Sequence, residues 1–107
     1  MAGNKYGAKK IKDPATGFVF DSKKEFHRWC ELRILEKAGK ISGLQRQVKF
    51  ELIPKQEGMR AIHYIADFTY YEDGNFIVED CKGYQTDVYK MKKRLMLWVW
   101  GHRIRET

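Results

Sequence analysis

The chain has 107 residues and a formal charge of +7 at neutral pH. That is one domain's worth of sequence, enough for a real core and too little for two. No run approaches the ~20 apolar residues of a membrane span, the polar and basic start lacks the apolar segment of a signal peptide, and two cysteines, Cys30 and Cys81, are too few for a disulfide framework.

Residues 1–16 read as a flexible basic arm, with Lys5, Lys9, Lys10 and Lys12 crowded together. Such a charge balance favours a polyanionic partner, of which nucleic acid is the commonest. Residues 17–107 form the single folded domain. A short extended piece at 17–20 leads to Asp21 and Ser22, which cap a helix over 22–38 stopped by Gly39. Residues 41–43 connect to a strand over 46–53, ended by Pro54. A loop tip at 56–58 precedes strands over 60–71 and 76–82, and Gly83 breaks the pattern. A second helix is expected over 86–99, with Val88, Met91, Leu95 and Trp98 as its core stripe. Gly101 ends it, and 102–106 forms a last strand. The order is helix, three strands, helix, strand. That αβββαβ order predicts an α/β (α+β) domain with a mixed sheet flanked by helices.

The chemistry concentrates in the hairpin. Two β-branched and aromatic runs flank Glu72-Asp73-Gly74-Asn75. Side chains alternate along a strand, so Asp80 and Lys82 share a face and Glu79 takes the other. A turn at Asp73-Gly74 puts Asp67 opposite Asp80; a turn at Gly74-Asn75 puts it opposite Lys82, on the same face. Like charges directly opposite each other destabilise a sheet. Two carboxylates and an ammonium on one face, among residues suited to a core, therefore point to a divalent cation.

Glu25 is a third acid, on the helical stripe of Trp29, Leu32 and Glu36. It can look toward the sheet, or it can close a capping box by bonding back to the Ser22 amide; the two roles can coexist. Lys82 is either a solvated strand-end residue or a group that holds an attacking water and neutralises developing charge. His63 shares the parity of Asp67, and Cys81 points away from the acids as a small core residue. Lys90, Lys93 and Arg94 fall opposite the expected core stripe of the second helix. With Lys92 at the border of that stripe, and with Lys9 and Lys10 of the arm, they are candidate phosphate contacts.

A helical glutamate, then Asp67, then Asp80-Cys81-Lys82 resembles the PD-(D/E)xK nuclease superfamily. Phe20-Asp21-Ser22-Lys23-Lys24-Glu25, Tyr64-Ile65-Ala66-Asp67-Phe68 and Val78-Glu79-Asp80-Cys81-Lys82-Gly83 look most like a family of small phage-type endonucleases. The chain is also similar to bacteriophage endonuclease I and the archaeal Holliday-junction resolvases. Ala66 stands where the motif often has proline. The resemblance implies a restriction-endonuclease-like core and an Mg2+-dependent endodeoxyribonuclease, with Mn2+ as a substitute. Asp67, Asp80 and the Cys81 backbone carbonyl would hold the metal, Lys82 would orient water, and Glu25 would hold a metal-bound water or a second ion. The expected products carry 5′-phosphate and 3′-hydroxyl ends. The expected partner is DNA, with branched DNA such as a Holliday junction the favoured form. Paired nicks there imply a homodimer, working in phage DNA recombination or processing in the cytoplasm, the host's if the chain is phage-encoded. Two other classes remain open. One is a non-catalytic nucleic-acid-binding module; the other is a phage accessory protein on a nuclease-like fold.

Overall fold

The computed structural model describes residues 9–107. The early part of the arm, with Lys5, lies outside the described residues. Its later part is folded: β1 (Ile11–Lys12) pairs antiparallel with β2 (Val19–Phe20). β2 is the extended piece expected at 17–20, whereas β1 lies within the expected flexible arm, where a two-residue strand carries no periodicity.

Helix α1 (Lys23–Lys37) follows. The Ser22 hydroxyl accepts from the Glu25 amide at 3.1 Å, and Gly39 closes the other end in the left-handed region. The main sheet runs β3 (Ser42–Ile53), β4 (Ile62–Glu72), β5 (Asn75–Asp80) and β6 (Ile104–Glu106) in that spatial order. β5 and β6 are parallel and the other neighbours antiparallel, so the sheet is mixed. β3 begins earlier than expected. A register shift between Ser42 and Gln45, with Gly43 in the left-handed region, lets the strand continue through a bulge into the supposed connection.

The β4–β5 turn falls on Asp73-Gly74, both with positive φ, the geometry of a type I′ hairpin. It fixes Glu72 against Asn75 and Phe68 against Glu79. β5 is then covered on both sides. Ile77 and Glu79 turn toward α1, where Phe20, Trp29, Leu32, Ile41, Phe68 and Tyr70 form one core. Val78 joins a second core of Phe50, Leu52, Tyr64, Ala66, Tyr89, Met96 and Ile104, and Asp80 turns toward Tyr64 there.

Helix α2 (Asp87–Leu95) is capped by the Thr86 hydroxyl and runs into one π-helical turn, Met96–Trp100, closed by Gly101 in the left-handed region. Its phase corrects the expected stripe. Tyr89 and Met96 are buried, whereas Val88, Met91 and Trp98 are exposed, Trp98 by 84 %. The cap fixes where the helix starts, and from that start positions 89 and 96, two turns apart, meet the sheet. The expected placement of Lys93 fails with it. Lys93 sits 3.0 Å from Glu106 of β6, while Lys90 and Arg94 remain exposed.

Candidate metal and nuclease centre

The hairpin ladder's last pair is Phe68 with Glu79. One step further the same register sets Asp67 beside Asp80. There β5 ends, and the Cys81 amide donates to Asp67 Oδ2 at 2.9 Å. Asp80 is 1 % exposed. Its Oδ2 accepts a 2.5 Å hydrogen bond from the Tyr64 hydroxyl. Its Oδ1 lies 3.2 Å from Lys82 Nζ, yet no donor is aligned on it. The ammonium is thus an ion-pair partner rather than a hydrogen-bond donor to that oxygen. A buried carboxylate oxygen with only a misaligned cation beside it is costly unless something else binds it.

Burial raises the Asp67 pKa to about 8, with the Asp80 charge next in importance and Glu25 contributing. Glu25 is raised as well, first by burial, with Asp21 and Asp80 adding and Arg46 of β3 opposing. The three carboxyls therefore share one electrostatic neighbourhood. Glu25 is 4 % exposed, on the stripe of Trp29 and Leu32. Its Oε1 accepts from the Asp21 amide at 3.1 Å, not from the expected Ser22 amide, because the chain ahead of the cap turns its preceding N–H toward the helix. Its Oε2 is buried without a partner. Capping and a free inward oxygen coexist in one side chain.

Lys82 is held from two sides. Its Nζ lies 4.4 Å from the Tyr89 ring centroid, over the ring face. Its backbone carbonyl accepts from Lys24 Nζ at 3.3 Å, tying the strand end to α1. Tyr89 in turn donates to Glu106 Oε2 at 2.6 Å, which lowers the Glu106 pKa. Tyr64 and Tyr89 were not singled out as partners of this site. A tyrosine in an apolar strand reads as core, and only the packing of β4 and α2 brings the hydroxyl of one to Asp80 and the ring of the other under Lys82.

Glu79 does something different. It is fully buried and accepts from Arg28 Nε at 2.6 Å, Arg28 Nη2 at 3.0 Å, Tyr70 Oη at 2.5 Å and Thr107 Oγ1 at 3.2 Å. Every oxygen is satisfied, and Glu79 raises the already high Arg28 pKa. Cys81 packs on the α1 core with its Sγ 3.3 Å from Thr107 Oγ1, and burial lifts its pKa to about 11. Parity therefore separates the adjacent acids: Glu79 in a closed ion-pair network, Asp80 beside Asp67 with an oxygen to spare.

Among the described residues no group of three or more His, Cys, Asp or Glu side chains is arranged to hold a metal ion. A small hard cation does not need one. Magnesium keeps several waters and binds through one or two carboxylates. Two carboxylates, one with a buried oxygen that accepts no hydrogen bond, are a donor set that fits it.

Of the phosphate-contact candidates, Lys9 is exposed and Lys10 pairs with Asp21 at 3.5 Å across an exposed surface. None of Lys9, Lys10, Lys90 or Arg94 meets the acids. No helix among the described residues is long and apolar enough to cross a membrane.

The raised Asp67 pKa has a stability consequence. The folded chain holds this proton at a pKa near 8, against an ordinary value of 3.8. Its contribution is therefore full below about pH 4 and lost as pH rises through about 8. In EDTA the melting temperature should fall between about pH 5 and pH 9, and Asp67→Asn should flatten that fall. Parallel curves for the two proteins would remove the repulsion from the account.

No curated protein and no solved structure gave a match to the chain. A family model does match, over residues 3–102, and by it the chain belongs to the family described as "Protein of unknown function (DUF1064)".

Proposed function

We propose that this protein is a metal-dependent DNA endonuclease of the PD-(D/E)xK type. The observation that carries the reading is the buried Asp67–Asp80 pair, with Asp80 Oδ1 accepting no aligned hydrogen bond and Lys82 beside it. Asp67, Asp80 and the Cys81 carbonyl would hold Mg2+, with Mn2+ as a substitute. When bound, the ion supplies Lewis acidity to a phosphodiester and lowers the pKa of an attacking water. Lys82, fixed over Tyr89, places a cation where negative charge develops on the phosphate. Tyr64 holds the Asp80 carboxylate in one orientation. Glu25 offers Oε2 as an inward acceptor for a water. Hydrolysis would leave 5′-phosphate and 3′-hydroxyl ends.

The substrate reading is branched DNA, as in resolution of a Holliday junction during phage recombination or processing. A domain this small has little room for elements that read a long sequence. Paired nicks require two sites, hence a homodimer. The exposed Met91 and Trp98 on and beyond α2 offer the apolar patch for a second copy. A cytoplasmic location suits such an enzyme.

The test is to incubate the protein with duplex, single-stranded, flap and four-way-junction DNA, with magnesium and with EDTA, and to measure its mass by sedimentation under the same conditions. The expected result is cleavage only with magnesium, fastest on the junction, by a dimer. Binding without cleavage in magnesium and in manganese would favour a non-catalytic binding module. Neither binding nor cleavage would favour an accessory protein on a nuclease-like fold.

A further inference from the structure

A groove of about 280 Å3 opens beside the acid pair. It is lined by His63, Tyr64 and Ile65 of β4, by Lys82, and by Thr86, Val88, Tyr89 and Lys92 at the start and inner edge of α2. Two of these residues reach directly into the candidate centre: Tyr64 bonds Asp80, and Lys82 lies 3.2 Å from it. The groove and the acids are thus consecutive parts of one surface.

The lining has a definite chemistry. Lys82 and Lys92 carry positive charge and His63 offers a ring N–H donor, while no aspartate or glutamate lines the groove. Of the ion pairs among the described residues, His63 has one at the 4.0 Å limit with Glu51, outside the lining, and Lys92 has none. Ile65 and Val88 are exposed and apolar. The polar groups of the remaining lining are already used: Thr86 Oγ1 accepts the Tyr89 amide, and both tyrosine hydroxyls donate to carboxylates. Cations with an apolar surface between them suit a chain of phosphates joined by sugars. No arginine, asparagine or glutamine, the residues that make bidentate contacts to base edges, is present.

From this we infer that the groove seats the sugar–phosphate backbone of the nucleic-acid strand adjoining the reacting phosphate, without reading its bases. Lys92 and His63 are the phosphate contacts, and Ile65 and Val88 the sugar contacts. The sequence places Lys92 among the candidate contacts only at the border of the expected core stripe. The phase set by Thr86 turns it beside Lys82. The inference rests on the nuclease reading for the words "reacting phosphate", but the binding itself does not require cleavage.

The experiment measures fluorescence anisotropy of two labelled DNA duplexes of unrelated sequence across a salt series in EDTA, for wild type, Lys92→Gln and Lys92→Arg. A parallel arm measures cleavage by wild type with magnesium. Lys92→Gln keeps the packed stem and removes the charge. It should weaken both duplexes equally and reduce the slope of log affinity against log salt by about one, the effect of losing a single phosphate contact. Lys92→Arg should restore the slope. An unchanged slope in Lys92→Gln overturns the groove even if wild type cleaves DNA. A loss confined to one sequence overturns backbone recognition. A reduced slope with no wild-type cleavage sustains the groove and sinks the nuclease reading. Absence of binding by wild type overturns the groove, and absence of cleavage as well overturns both.

Discussion

Glu79→Gln should lower the melting temperature by roughly 10–20 °C, taking a loss of about 3 kcal/mol and the usual conversion for a domain of this size. Glu79 is fully buried and receives four hydrogen bonds, two of them from Arg28. Glutamine has nearly the same shape but turns an N–H₂ toward groups that all donate to Glu79, of which only the Tyr70 and Thr107 hydroxyls can turn to accept, and it removes the charge that Arg28 faces. Breaking a buried ion pair by removing one partner typically costs 3–5 kcal/mol. The lower end applies because the Arg28 side chain keeps 23 % exposure and can rehydrate. Where the variant remains folded, it should still cleave DNA, because Glu79 does not touch the acid pair. Thermal melts and a cleavage assay below the melting range check both parts. A variant as stable as wild type but inactive would mean that Glu79, not Asp80, faces the substrate.

Asp80→Asn should do the reverse. Asparagine can still accept from Tyr64 and can donate to Asp67, while the buried Asp80 charge, which helps to raise the Asp67 pKa, is gone. The variant should melt at or above metal-free wild type. Magnesium at ~100 times its Kd adds about 2.7 kcal/mol to a protein that binds it only when folded. Wild type should therefore gain roughly 10 °C or more and the variant little. Cleavage should drop by about 100-fold or more, the scale for deleting one preorganised electrostatic group in a reaction site. A variant clearly less stable than metal-free wild type would show that this carboxylate holds the fold together and does not serve a ligand.

Two neighbouring acids with opposite fates show how much of the site was legible. Asp73-Gly74 is a strong two-residue turn signal, and strand parity is a strict period of two. Together they put Asp67 and Asp80 on one face and Glu79 on the other; the turn at Asp73-Gly74 rather than Gly74-Asn75 then sets Asp67 opposite Asp80 instead of Lys82, a choice that parity cannot make. The α1 stripe was legible for a similar reason: Ser22 and Gly39 bracket it, and Glu25, Trp29 and Leu32 recur at helical spacing. Helix α2 was not. Val88, Met91 and Trp98 are as apolar as the residues that turned inward, Leu95 among them, and a periodicity of apolar residues cannot choose between two stripes when both are apolar. The choice was made by the Thr86 cap and by Tyr89 reaching Glu106 of β6. The same limit hid Tyr64, whose role depends on which elements pack side by side.

The central claim is that Asp67 and Asp80 form a divalent-cation site, and titration calorimetry with magnesium addresses it most directly. Near pH 7 Asp67, with a pKa of about 8, is mostly protonated in the metal-free protein, and a metal that takes its carboxylate must expel that proton. Wild type should show saturable binding whose apparent heat changes with the ionisation enthalpy of the buffer, toward one proton released per site, and Asp80→Asn should show none. No saturable binding by wild type, or the same binding by Asp80→Asn, would contradict the assignment.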